Sequence, residues 1–361
     1  MNKAELIKYS FSKFANSYLD SLSHFLNIPL SKPINVSVGI TLKCNLKCTH
    51  CDIWKLSPGK ELSKDQWKNF INSLYDWLGV YQISFAGGEP LLYKDIFDLI
   101  EHCSKIGVIS SIVTSGAALT KTKLENLLNS NIDTVNISLD SINPEIHDKI
   151  RGVKGVHSKV LKVIDKFKDS GKEKKLILAT VIMGSNINEI IPLVHYANEK
   201  GLFGISFQVL TDNFGKMYNH NWFNESDNFR MDQMNLKTVI DELLNLKKNG
   251  YPILNASRQL EYTIQYFQNP SLPFPFSCKV GFNTLRVGPT GDVQFCNLSR
   301  PFGNILEDEP KNIWNSPLAK SRRRELRHCQ MSCSIQNCYF KKTIPENLTA
   351  FTRKWKEFIN K

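Results

Sequence analysis

The stretch INVSVGITLKCNLKCTHCDIW, residues 34–54, runs from a β-rich segment directly into three cysteines, Cys44, Cys48 and Cys51, with three and then two residues between them. INVSVGI places apolar residues at every second position and reads as a strand. A tetrahedral zinc site or a closed iron–sulfur cluster takes four protein ligands, so three thiolates this close together point to a metal centre with one position left open. Two simpler readings of the loop stand beside this one: Cys48-Thr-His-Cys51 has thioredoxin-type spacing, and His50 would complete a zinc set. Neither accounts for Cys44 or for the motifs further along the chain.

Outward from this strand, the same alternation repeats. YQISFAGG, VISSIVTSG, DTVNISLD, KLILATVIM and GISFQVL read as five further strands separated by amphipathic helical stretches, the pattern of βα units and a parallel sheet. Ser63 with Gln66 forms a capping box before Trp67, Phe70, Leu74 and Leu78, and Gly79 stops that helix; Asn186 with Glu189 reads as a second such start. The expected fold class is α/β: a partial (β/α)6 TIM-like barrel over residues 34–210, although an open doubly wound sheet has the same alternation. Residues 1–33 read as an N-terminal helical extension and 211–275 as a bridging segment. Residues 276–340, with five of the nine cysteines, form a small metal-bearing domain, and 341–361 a C-terminal helix.

The totals agree with a packed enzyme-sized protein. Of 361 residues, 42% are hydrophobic, no apolar run approaches membrane-spanning length, and the N-terminus lacks a signal-peptide core. Nine cysteines without an export signal indicate metal ligation in the cytoplasm rather than disulfides. The net charge of +12 permits an acidic partner, but its lysines are spread singly, which argues against nucleic acid. The dense run SRRRELR, with Arg322, Arg323, Arg324 and Arg327, is expected to be a solvated helix face. Cys103 falls on an apolar helix side as a core thiol, and His102 beside it faces solvent.

In a barrel, the loops after the strands gather at one face, where barrel enzymes place their sites. That face would hold the cysteine loop, Gly87-Gly88-Glu89-Pro90, Thr114-Ser115-Gly116, and Ser138 with Asp140. Glycines let backbone approach a ligand closely, and Glu89 can accept hydrogen bonds from an ammonium group. Gln208 and Asp212, at the end of the sixth strand, are candidate catalytic residues or simple caps.

The cysteine spacing followed by Gly-Gly-Glu-Pro after the next strand resembles the radical S-adenosylmethionine (SAM) enzymes over residues 34–210. The resemblance implies that Cys44, Cys48 and Cys51 hold a [4Fe-4S] cluster whose fourth iron is chelated by SAM. It further implies reductive cleavage to a 5′-deoxyadenosyl radical that abstracts a substrate hydrogen. By position, Gly87, Gly88 and Glu89 would bind the methionine amino group, Ser138 and Asp140 the ribose or carboxylate, and Arg151 a carboxylate. His50 would stack on adenine.

The tail is similar to the auxiliary-cluster extension called SPASM, or twitch in its shorter form. Cys278, twelve residues, Gly291, four residues and Cys296 match its opening, and Gly303, Asn304 and Trp314 its middle. Only Cys329, Cys333 and Cys338 remain after these, so one auxiliary [4Fe-4S] cluster is expected, held by Cys278, Cys296 and two of the last three; a structural zinc fits the same ligands. The resemblance implies an oxidoreductase or maturase acting on a ribosomal peptide, served by an acidic flavodoxin or ferredoxin. Oxidation or epimerisation of a sugar, tetrapyrrole or other small metabolite is the alternative. A zinc-stabilised binding protein would leave Gly87-Gly88-Glu89-Pro90 unexplained. The 43 residues before Cys44 are too few for a winged-helix peptide-binding domain.

Overall fold

The computed structural model describes residues 3–33, 35–57, 59–215, 219, 221–270, 278–329 and 346. The expected ligands Cys333 and Cys338 and the 341–361 helix lie outside them, Glu346 excepted. Six parallel strands appear where the alternation places them: β1 Asn35–Thr41, β2 Gln82–Gly87, β3 Ile109–Thr114, β4 Thr134–Ser138, β5 Leu176–Ile182 and β6 Gly204–Val209. The helix α1, Lys3–Leu26, precedes them. Helices α2 Lys64–Leu78, α3 Ile96–Lys105, α4 Lys121–Asn129, α5 Pro144–Arg151 with α6 Val156–Asp169, and α7 Ile190–Glu199 make the crossovers. The capping box at the start of α2 is present in both directions, Ser63 N–H donating to Gln66 Oε1 at 2.8 Å and Gln66 N–H to Ser63 Oγ at 3.3 Å. Gly79, at φ +72°, ends that helix.

One face of this sheet is apolar and fully covered. Val36, Val38 and Ile40 of β1, Ile83 and Phe85 of β2, Val135 and Ile137 of β4, and Leu176 and Leu178 of β5 are all at most 2% exposed, packed under the helices. The opposite, concave face carries small and polar residues interspersed with Ile109, Val113, Ile177 and Val181, and its partial exposure marks it as the interior of an open barrel.

Asn186 and Glu189 depart from the sequence reading. Asn186 does not cap a helix: its amide accepts the Met183 N–H and donates to the carbonyls of Asp140 and Val181, tying the ends of β4 and β5 together, and α7 begins only at Ile190. Glu189 instead accepts from Ser141 Oγ and from the Ile142 and Asn143 N–H groups. The bridge contains α8 Trp222–Glu225, α9 Gln233–Lys248 and α10 Ser257–Gln268. Between α9 and α10, residues 252–255 cover the edge of β6. Ile205 N–H donates to the Pro252 carbonyl, and Asn255 exchanges two 2.7 Å bonds with the backbone of Phe207.

The tail does not sit apart as a separate bead. After α11, Val280–Asn283, strand β7 (Thr284–Val287) joins the barrel sheet parallel to β1. β8 (Asp292–Gln294) and β9 (Gly303–Asn304) continue it antiparallel, giving nine strands in the order β6-β5-β4-β3-β2-β1-β7-β8-β9. Gly291 makes the β7–β8 turn at φ +92°, where a Cβ would lie 2.6 Å from Asn304 Oδ1. Helices α12 (Pro310–Asn315) and α13 (Pro317–Arg327) close the unit, Trp314 packing against Trp77 of α2 at 6.2 Å. Arg323 is not on a solvated face. It is buried, donates to the carbonyls of Gly281 and Trp314, and lies over Phe295 and Trp314 at 4.9 and 4.6 Å; burial lowers its pKa to about 9, still charged at neutral pH. Cys103 is a buried core thiol as expected.

Candidate metal and SAM site

The cysteine loop leaves the C-terminal end of β1 and is clamped by the loops that follow three other strands. From β2, the Gly88 and Glu89 N–H groups donate to the carbonyls of Thr41 and Lys43, each at 2.8 Å. The approach is so close that a Cβ on Gly88 would lie 2.3 Å from the Lys43 carbonyl oxygen and one on Gly87 2.4 Å from that of Thr41. From the end of α5, Lys47 and Thr49 N–H donate to the carbonyls of Arg151 and Ile150, and a Cβ on Gly152 would lie 2.2 Å from the Lys47 oxygen. Beyond β6, Asp52 N–H donates to the Phe214 carbonyl at 2.8 Å, and Asn213 Nδ2 to the Asp52 carboxylate at 3.1 Å. Gly87, Gly88 and Gly152 are thus explained by backbone packing against this loop.

All three thiols are partly buried. Burial raises their pKa values, that of Cys51 to about 11 with Cys48 and Cys44 close enough to add to the shift. At Cys48 the Arg151 guanidinium, with Nη1 4.0 Å from Sγ, opposes that rise. Among the described residues no three His, Cys, Asp or Glu side chains gather as the ligands of a single ion would. A cubane cluster spreads its thiolates over separate corners, which suits three softly spaced sulfurs and leaves one iron without a protein ligand. The donor set of three thiols and no carboxylate ligand fits such a cluster, and loading it displaces three protons.

Behind the loop lies a buried ion pair. Asp140, 0% exposed, sits 2.6 Å from Arg151 Nη2 and accepts the Val181 N–H at 3.1 Å. Burial alone would raise the Asp140 carboxyl, but Arg151, helped by His50, His147 and the Val181 N–H, holds it below the usual carboxylate value. Burial and Arg151 push His50 and His147 down to about 4, so both are neutral; His147 Nδ1 accepts the Asp140 N–H at 3.2 Å, and the His50 Nδ1 is buried without a partner.

Glu89 is 1% exposed, and its two oxygens take four donors: Leu91 N–H at 3.2 Å and Thr114 Oγ1 at 2.7 Å on one, Ser115 N–H at 2.9 Å and Ser115 Oγ at 2.6 Å on the other. It thereby locks the loop after β2 to the loop after β3. Ser138 faces the barrel interior, as does the exposed Gln208. Asp212 accepts the N–H groups of Asn213 and Asn219 at 2.9 and 2.8 Å, the arrangement of a turn cap. In the tail, Cys278 and Cys296 are half-buried and Cys329 is exposed. The clamps from Gly152 and Phe214 have no sequence signature beyond glycine in a loop.

Residues 38–197 match the radical SAM superfamily, and residues 278–339 match SPASM, an iron–sulfur cluster-binding domain. The PqqA peptide cyclase of Bradyrhizobium diazoefficiens is 34% identical over 36% of this chain and 35% of its own length. The antilisterial bacteriocin subtilosin biosynthesis protein AlbA of Bacillus subtilis is 25% identical over 79% of this chain and 60% of its own length. The chain therefore spans between about one third and three fifths of these curated relatives. Streptococcus suis SuiB, solved bound to its precursor peptide SuiA, superposes with a TM-score of 0.68 at 18% identity, over 92% of this chain and 79% of SuiB; this likeness is one of fold.

Proposed function

From a chain that belongs to the radical SAM superfamily and carries a SPASM domain on the same sheet, we propose a maturase that removes a hydrogen atom from a ribosomally made peptide. The observation that carries this is the clamped three-cysteine loop at the mouth of a barrel whose sheet continues into the cysteine-bearing tail. Cluster and SAM, when bound, supply one-electron cleavage of the sulfonium and a carbon radical able to take that hydrogen. The chain's part is positional: Cys44, Cys48 and Cys51 hold the cluster, and Arg151 offsets the charge of the Cys48 thiolate. Ser138 would face SAM from the inner wall, His50 would stack on its adenine, and the Gly87-Gly88-Glu89 backbone and Glu89 carboxylate would meet its ammonium. Asp140 acts through Arg151, to which it is already paired. In the tail, Cys278 and Cys296, with two of Cys329, Cys333 and Cys338, would hold an auxiliary cluster, which would supply one-electron redox capacity there. The peptide reading is supported by what the PqqA cyclase, AlbA and SuiB are named for. The +12 charge suits an acidic flavodoxin or ferredoxin as donor. Thiols kept for metal suit a reducing cytoplasm. No helix among the described residues is long and apolar enough to cross a membrane.

Two variants test the parts. Cys296→Ala is expected to keep forming 5′-deoxyadenosine from SAM under dithionite while yielding no mass change in a peptide that the wild type modifies. Loss of the circular dichroism spectrum together with iron would instead mark a folding defect. Coupled product from the variant would remove the auxiliary site from the reaction. Glu89→Ala is expected to weaken SAM binding by roughly one to two decades, for a charge-assisted contact contributing about 1.5–3 kcal/mol. Unchanged affinity by equilibrium dialysis would leave Glu89 only its bracing of Thr114 and Ser115.

A further inference from the structure

The concave face of the barrel is lined by small neutral groups: Ser37, Ser84 and Ser111 in one register row, with Asn136, Ser206 and Gln208 beyond them. Among the described strand residues of that face two are charged, Asp292 of β8, whose oxygens accept from Thr290 Oγ1 and Asn304 Nδ2, and one cation. Arg286 of β7 pairs with Ser37 of β1, so its side chain leaves the sheet on the concave side, whereas its neighbours Leu285 and Val287 are buried in the opposite layer. Because β7 runs parallel to β1, Arg286 lies on the strand beside the one that delivers the cysteine loop.

The guanidinium is only partly satisfied. Nη1 donates to Asn297 Oδ1 at 3.0 Å, Nε is buried with no acceptor, and no carboxylate pairs with it among the described residues. The two buried arginines among the described residues are compensated from within the fold, Arg151 by Asp140 and Arg323 by two carbonyls and stacked aromatic rings. A buried donor left unmade is costly, more so on a charged group, and the planar fork of arginine matches a carboxylate bidentately.

We propose that Arg286 binds a carboxylate of the substrate peptide, from an Asp or Glu side chain or a C-terminus, and so sets which peptide residue lies over the cysteine loop. The neutral serines and amides of the same face can hydrogen-bond peptide backbone without competing for that charge. This rests on the peptide reading above.

The test uses reconstituted holoenzyme with SAM and two capped probes, Ac-Gly-Asp-Gly-NH2 and Ac-Gly-Asn-Gly-NH2, titrated by calorimetry beside inorganic phosphate. Wild type is expected to bind the aspartyl probe roughly 10- to 100-fold more tightly, and Arg286→Gln to bring the two within about twofold. Arg286→Lys, which keeps charge but not the fork, should retain part of the preference. Iron content and circular dichroism must match wild type in both variants; if Gln unfolds the tail, the Lys variant carries the comparison. No preference in wild type, or an undiminished one in Arg286→Gln, overturns the proposal. So does phosphate binding as tight as the aspartyl probe, which would indicate a phosphorylated small molecule. Absence of 5′-deoxyadenosine from wild type would instead count against the radical reading itself.

Discussion

Replacing Cys44, Cys48 and Cys51 together by alanine is expected to abolish 5′-deoxyadenosine formation and to lower iron from about eight to about four per chain, one cluster's worth. The loop is held by backbone bonds to Gly88, Glu89, Arg151, Ile150 and Phe214, none of which uses a thiol. Its conformation should therefore survive the substitutions, and the circular dichroism spectrum should be nearly unchanged. Anaerobic iron and sulfide assays with mass spectrometry of the nucleoside check both halves. Residual 5′-deoxyadenosine above the no-enzyme level would remove these cysteines from the reaction.

The second large effect concerns Asp140. Asp140→Ala leaves the Arg151 guanidinium buried without its counter-charge and strips the Val181 N–H of its acceptor. Breaking a buried pair in this way costs about 3–5 kcal/mol. The variant should melt well below wild type and lose iron, since Arg151 and the adjoining Ile150 and Gly152 brace Lys47 and Thr49. The pH dependence has a definite sign. The carboxyl is depressed in the fold, so its stabilising contribution is full above the ordinary aspartate value of about 3.9 and fades as pH falls through the lower folded value. Wild type and variant should thus converge in stability only in acid below about pH 4. A loss under about 1 kcal/mol at pH 7, read by urea unfolding, would show that Arg151 finds another partner.

The barrel strands were legible because most obey a local rule, apolar residues at alternate positions on a face that packs under helices; β3, with Ser110 and Thr114 beside Ile112 on that face, obeys it least. The cysteine loop was legible because its spacing is chemical. What escaped the sequence depends on partners far along the chain. β7, β8 and β9 span four, three and two residues, too short for any periodicity, and β7 is a strand because β1 and β8 lie on either side of it. Asn186 and Glu189 carry the spacing of a capping box, but buried carbonyls and N–H groups of neighbouring strands offered them better partners. Arg323 looked like one more cation in a basic run, since nothing nearby announces that Phe282, Phe295 and Trp314 surround it. Gly87 and Gly88 also answer a packing demand that their spacing does not announce, the close approach of the Thr41 carbonyl to the first and of the Lys43 carbonyl to the second.

The pairing of β7 with β1 also imposes an order of events during synthesis. The β1 edge beside the cysteine loop waits for a partner roughly 240 residues downstream, on the order of 12–50 s at ribosomal rates of about 5–20 residues per second. Throughout that interval a nascent barrel presents an open strand edge, the surface by which unfinished sheets stick to one another. Slowing translation before codon 284 should therefore favour aggregation, and a chain stopped short of β7 should accumulate as insoluble protein whether or not iron is supplied.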